Sequence, residues 1–244
     1  MTSKQSWPSL EFLSENLVLP PADAPDVCPQ CRTAKRASES VCENCEQIAL
    51  ELSFPCKIVI PISLYCKPSV LRDWLKYYKP QTDGFEPEYG RYVQGILRGY
   101  FDHSGPELRR LIGDWDVVTV VPSTVRRPPH PLELLANGSV DFGAPMQRLL
   151  CRTASEIGHR SPNDEAFEVT ANVVGLRILI LDDVYTTGAR SQSAASVLHK
   201  SGAVVPAIVP VGRRINPGYS EATERVWRRQ AALGFSFEQQ FWRQ

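Results

Sequence analysis

Two adjacent carboxylates, two hydroxyls and a glycine stand together in Asp182-Asp183-Val184-Tyr185-Thr186-Thr187-Gly188-Ala189-Arg190. The run follows residues 176–181, apolar apart from Arg177, and leads into Ala189–Lys200, where Ala194, Ala195, Val197 and Leu198 recur at helical spacing. Strand, polar loop and helix therefore form one unit, with the strand ending at Leu181 and buried on both faces, as in the centre of a parallel sheet. A helix N-terminus presents unpaired N–H groups and partial positive charge, so the turn at 186–189 offers an anion site to which two threonine hydroxyls add hydrogen bonds. Carboxylates at the carboxyl end of such a strand suit ribose hydroxyls or a divalent metal. Phosphate and sugar together point to a phosphorylated ribose. The competing account is an acidic pair that caps a helix and threonines that fill a turn.

A second set of chemical residues lies near the N-terminus, in Cys28-Pro29-Gln30-Cys31 and Cys42-Glu43-Asn44-Cys45. Each pair puts two thiolates on one tight turn, and two such turns supply the four sulfurs of a tetrahedral zinc site. With four protein ligands the site is closed and structural, and the metal supplies folding energy that so small a module lacks. A redox dithiol and a disulfide are the alternatives; tandem motifs without an export signal favour zinc. Cys56, Cys66 and Cys151 stand singly and read as small buried hydrophobes.

The acidic loop resembles the phosphoribosyl-pyrophosphate (PRPP) loop of type I phosphoribosyltransferases. The resemblance implies that Asp182 and Asp183 hold the ribose 2′- and 3′-hydroxyls. It implies that Tyr185, Thr186, Thr187, Gly188 and Ala189 cradle the 5′-phosphate. The family carries threonine after the Gly-Ala step; here Arg190 and Ser191 follow, and a guanidinium can bind phosphate directly. A four-cysteine knuckle ahead of such a core resembles the ComF family of competence-associated proteins. Trp74-Leu75-Lys76-Tyr77, Val120-Val121-Pro122 and Asn163 with Ala166-Phe167 are similar to further segments of that family, over residues 26–212.

The resemblance implies a type I phosphoribosyltransferase fold, a central parallel sheet flanked by helices, with a small N-terminal zinc module. Ser123, Thr124 and Arg126, after a strand at 117–122, would bind pyrophosphate, and magnesium would bridge pyrophosphate and ribose oxygens. The partners implied are PRPP and a small nitrogenous acceptor such as a nucleobase. The alternative is a non-catalytic factor of DNA uptake or recombination that binds single-stranded DNA or protein partners. The chain has no lysine between residues 80 and 199, whereas orotate phosphoribosyltransferases clamp pyrophosphate with loop lysines, which argues against orotate. Pro128-Pro129-His130-Pro131 replaces the family's Arg-Gly-Phe-Asn-like run, and His130 reads as an exposed loop residue.

Other elements must position these groups. Residues 57–65 read as a strand that Pro61 confines to an edge. Residues 69–78 read as a helix with Val70, Leu71, Trp74, Leu75 and Tyr78 inward and Lys76 and Lys79 elsewhere, Lys76 being a surface residue or a ligand. Helices are expected at 89–101, 106–112 and 144–157, a polar loop over the site at 159–165, and short strands at 167–169 and 204–211. Pro206 and Pro210 place the last of these near an edge. Ser220 caps a final helix, after which Phe235, Phe237, Phe241 and Trp242 fold back on the core or dock a partner. The expected divisions are a flexible segment 1–25, the zinc module 26–50, the phosphoribosyltransferase domain 51–215 and a C-terminal helix and tail 216–244.

Composition bounds all of this. A chain of 244 residues, 43 % hydrophobic and 22 % charged, can bury one α/β core with small appendages. Its 27 basic and 27 acidic residues cancel, so no overall field draws it to nucleic acid or anionic membrane. No apolar run has the length of a membrane span and residues 1–8 lack a signal-peptide pattern, so the expected location is the cytoplasm, with oligomerisation open.

Overall fold

The computed structural model describes residues 7–123 and 128–238. In chain order its helices are α1 (Leu10–Ser14), α2 (Glu43–Glu51), α3 (Val70–Tyr77), α4 (Pro87–Ile112), α5 (Pro131–Ala136), α6 (Ala189–Lys200) and α7 (Glu221–Ala231). Its strands are β1 (Ser63–Tyr65), β2 (Val117–Val120), β3 (Leu150–Arg152), β4 (Phe167–Val169), β5 (Ile178–Tyr185) and β6 (Ile208–Arg214). The main sheet runs β1-β6-β5-β2 with every pairing parallel, and β3 and β4 form a separate antiparallel pair. The architecture is α/β, a parallel sheet flanked by helices.

The period-two alternation of the central strands builds two cores. Leu179 and Leu181 of β5 and Val118 and Val120 of β2 face a cluster with Leu71, Trp74 and Leu75 of α3 and Val93, Ile96 and Leu97 of α4. Ile178 and Ile180 face the opposite cluster, with Ala194, Ala195 and Leu198 of α6 and the four paired cysteines. The cysteine module is therefore packed against the sheet.

Five expectations are corrected. The strand does not end at Leu181: β5 continues to Tyr185, with Asp182 opposite Pro210 and Val184 opposite Gly212, because backbone pairing with β6 persists past the acidic pair. Residues 144–157 are not a helix. Met146 bridges Val118 in parallel and Leu150–Arg152 is a strand, since apolar positions 146, 149 and 150 also suit extended chain at the sheet's margin. The helix at 89–101 does not stop before 106; α4 runs through Pro106, its buried face of Val93, Ile96, Leu97, Tyr100 and Leu108 outweighing a proline cost of about 3 kcal/mol. β6 is interior. Pro210 fits there because its carbonyl accepts from Ile62 N at 2.9 Å, which puts its missing N–H on the side of the irregular 57–62 segment. Within the segment expected to be flexible, Leu13, Leu17 and Leu19 lie in the main core.

The edge position of residues 57–65 holds, β1 being the terminal strand. Ser220 caps α7 by accepting from Thr223 N. Phe235 and Phe237 fold back into the main core, and Ser104 Oγ donates to Phe237 O at 2.7 Å. Phe241 and Trp242 lie outside the described residues. Among the described residues, no helix is long and apolar enough to cross a membrane.

Candidate functional site

A cavity of about 500 Å³ opens at the carboxyl end of β5. Its floor is Asp182 and Asp183, one wall is the 186–191 loop and first turn of α6, and the facing wall carries Lys67, Arg72, Lys76 and Lys79. Gly158 and, from the polar 159–165 region, His159 form part of the rim, where Thr187 Oγ1 donates to His159 O.

Both carboxylates are buried and engaged. Asp182 Oδ1 accepts from Asp183 N at 2.9 Å and lies 3.4 Å from Arg190 Nη2, while Asp182 Oδ2 accepts from Ser191 Oγ. Asp183 Oδ2 pairs with Lys79 Nζ, accepts from Tyr78 Oη at 3.0 Å and lies 3.9 Å from His130 Nε2. Among the described residues, Asp183 Oδ1 and Arg190 Nε, both buried, have no hydrogen-bond partner. Burial pushes Asp182 up to about 6 against the pull of Arg190. Burial alone would raise Asp183 too, yet the Lys79 ammonium, with His130 and Arg190, holds it well below the usual carboxylate range.

The loop's residues divide. Gly188 has φ +94°, a left-handed conformation, and a Cβ there would stand 2.2 Å from Tyr185 Oη. Gly188 is also the N-cap of α6, with no side-chain cap bond, so among the described residues the first N–H groups of that helix are uncapped by side chains. Thr186, Thr187, Gly188 and Ala189 line the cavity. Arg190 and Ser191 line it too, but their polar groups turn to Asp182. Tyr185 is buried in the opposite core, where Gln192 Nε2 reaches its hydroxyl at 3.3 Å, so it holds Gly188 from behind the loop. Ser123 leaves the sheet beside this end of β5, since Val121 N bonds to Leu181 O. Thr124 and Arg126 lie outside the described residues.

Lys67, Arg72, Lys79, Tyr78 and His130 belong to this neighbourhood without having been singled out from the sequence. Tyr78 and Lys79 end an amphipathic helix whose apolar face gave no sign that its C-terminus meets β5. His130 is not exposed: it is 6 % accessible, and its Nδ1 caps α5 by accepting from Leu132 N at 3.1 Å.

The four cysteines converge behind the loop. Their sulfurs all lie within 4.8 Å of one another, with Cys28 Sγ and Cys45 Sγ 3.8 Å apart and Cys31 Sγ and Cys42 Sγ 3.5 Å apart. Thiolates bound to a central zinc at about 2.3 Å would stand roughly 3.8 Å apart, so the cluster fits structural zinc. Hydrogen bonds from Cys28, Cys42 and Cys45, and the Arg213 charge, hold the Cys31 thiol well below its ordinary value. The acidic pair fits magnesium poorly. Three of its four oxygens are taken by hydrogen bonds or the Lys79 ammonium, and the fourth, Asp183 Oδ1, is 3.7 Å from Arg190 Nη2. Magnesium needs near-octahedral oxygen ligation.

No family model and no curated protein matches the chain. Solved structures show distant similarity. The adenine phosphoribosyltransferase of Leishmania donovani is 16 % identical with TM-score 0.35, over 67 % of this chain and 75 % of that one. The Trypanosoma brucei adenine phosphoribosyltransferase, solved with AMP, pyrophosphate and ribose-5-phosphate, is 14 % identical with TM-score 0.34, over 60 % and 81 %. The allosteric regulatory enzyme of purine biosynthesis is 15 % identical with TM-score 0.33, over 58 % of this chain and 30 % of that one.

Proposed function

We propose that the chain is a ComF-like phosphoribosyltransferase whose cavity binds PRPP and transfers its phosphoribosyl group to a nitrogen acceptor, a nucleobase by preference. The observation that carries this reading is one cavity that brings the acidic pair Asp182 and Asp183 together with the first turn of α6. Beside it, among the described residues, Asp183 Oδ1 is a buried acceptor without a donor and Arg190 Nε a buried donor without an acceptor, and leaving either unpaired costs about 1–3 kcal/mol. The uncapped start of α6 beside them, with Gly188 in its left-handed turn, suits the 5′-phosphate of the same molecule.

In transfer, the acceptor nitrogen forms a bond to C1 of the ribose, the C1–oxygen bond breaks, pyrophosphate leaves with the electron pair, and the proton lost by the acceptor nitrogen passes to the departing pyrophosphate or to solvent. Positive charge that develops on the ring lies above Asp182 and Asp183, whose preorganised field stabilises it. Neither carboxylate has to move a proton. Asp183 is fixed as an anion by Lys79, and the Tyr78 hydroxyl and Ser191 keep the two carboxylates oriented. The four cysteines hold structural zinc and take no part in the step. Incubation of the zinc-loaded chain with PRPP and a panel of nucleobases tests the transfer: pyrophosphate release with one base supports it, and release with none speaks against it.

A second reading, a factor that binds single-stranded DNA, is favoured by a neighbouring groove of about 880 Å³ lined by Lys35, Arg36, Arg160, Arg213, Arg214 and Arg225. Glu39, Glu43, Glu46 and Glu221 line the same groove and offset four of those six charges, and Arg213 is buried against the cysteines, which weakens the case. Steeply salt-dependent binding of a labelled oligonucleotide would support it.

A further inference from the structure

We infer that this site neutralises the phosphates of its ligand with its own side chains, so that PRPP binds without a divalent metal. The inference rests on the proposed reading of the cavity as a PRPP site. Five cationic side chains, Lys67, Arg72, Lys76, Lys79 and Arg190, line one cavity against two carboxylates. The carboxylates are already matched, Asp183 by Lys79 and both by Arg190. The surplus lies on the wall facing the loop, where Lys67 and Lys76 make no ion pair among the described residues and Arg72 pairs only with its neighbour Asp73, at 2.5 Å.

These cations come from one short stretch. Arg72 and Lys76 are four residues apart on α3, and Lys79 follows just beyond its end, so one helix side delivers them to the cavity. Desolvation, then Arg214, Arg72 and Lys76, lower the Lys67 pKa, and Lys67, Arg72 and Lys76 crowd the lining of one cavity. A polyphosphate relieves that crowding, whereas a divalent cation adds to it. Three of the four carboxylate oxygens are committed to Asp183 N, Ser191, Lys79 and Tyr78, and the fourth, Asp183 Oδ1, faces the Arg190 guanidinium at 3.7 Å, where a divalent cation would meet a like charge. The pyrophosphate of PRPP therefore meets ammonium and guanidinium groups in the role magnesium would fill, and Arg72 offers the planar fork suited to phosphate oxygens.

The test is calorimetric titration of PRPP into the zinc-loaded full chain, once in buffer freed of magnesium by passage over a chelating resin and once with millimolar magnesium, zinc content being checked in both. The inference predicts Kd values that agree within about threefold, and a Kd that rises steeply with salt. The exposed substitution Lys76→Ala, combined with Arg72→Ala, should weaken magnesium-free binding by about tenfold or more, with the thermal midpoint of the free protein unchanged. Binding seen only with magnesium, or an unchanged Kd in the double variant, overturns the inference and leaves the PRPP reading standing. Absence of binding in both buffers overturns both.

Discussion

Arg213 and Cys31 tie the four-cysteine module to the candidate site. Arg213 Nη2 donates to Cys31 Sγ at 3.4 Å and its Nε to Cys31 O at 3.1 Å, while Nη1 donates to Tyr185 O at 3.1 Å and also to Thr186 O. The side chain is 2 % accessible, and a guanidinium so buried is tolerable only with its hydrogen bonds filled and an anion at hand. The thiolate cluster supplies that anion on one side. On the other, the same group fixes the carbonyls at the end of β5, where the loop begins.

Loss of that link should be felt at both ends. Arg213→Ala is expected to lower unfolding stability by about 3 kcal/mol, the typical cost of breaking a buried charge pair. Hydrogen exchange of residues 185–190 should accelerate in the same variant, because Tyr185 O and Thr186 O lose their shared donor, and on zinc removal from the wild type, because Arg213 loses the ordered thiolate that anchors its other end. Denaturant titration and exchange mass spectrometry check the two effects; unchanged loop exchange after zinc removal would show the coupling to be absent.

The two carboxylates should differ when neutralised. Asp183→Asn leaves Lys79 beside a neutral amide in a largely buried site and is expected to cost about 3 kcal/mol. Asp182→Asn removes the carboxylate whose ionised form burial already disfavours, so its cost should be about 1 kcal/mol or less. Urea denaturation of the two variants at neutral pH gives the comparison directly, and equal losses would contradict the assigned asymmetry.

The same asymmetry sets a pH dependence. Asp182 titrates near 6 when folded and near 3.8 when free, so the folded state binds the extra proton and stability falls as pH rises through that window. Asp183 acts oppositely: its folded value lies below 3.8, so its contribution is present above that pH and is lost as pH falls past it. Wild type compared with Asp182→Asn isolates the first effect. The variant should gain on the wild type between pH 4 and 6, and a flat difference across that range would count against a raised Asp182.

The sequence made some of this visible and not the rest, for identifiable reasons. Strong local signals survived folding: the apolar run into Asp182-Asp183, the glycine at the start of α6 and the paired Cys-x-x-Cys spacing each report chemistry carried by neighbouring residues. Residues 144–157 misled because a few apolar positions in a short window satisfy a helix and an extended edge alike. Pro210 misled because a proline bars only the side on which its N–H would point. Lys79, His130 and Arg213 were silent because each acquires its role only when distant segments meet. Arg213 lies beyond the strand expected at 204–211 and draws no notice until Cys31, far away in the chain, is placed against it.

The central claim is that the acidic floor and the α6 turn together hold a ribose 5-phosphate that bears a pyrophosphate. Titration of PRPP and of ribose 5-phosphate into the folded, zinc-loaded chain measures it most directly. One saturable site per chain, with PRPP the tighter ligand and both weakened at least about tenfold by Arg190→Ala, is the result predicted. Heats of dilution alone for both sugars, from protein whose zinc content and thermal transition are intact, would contradict it.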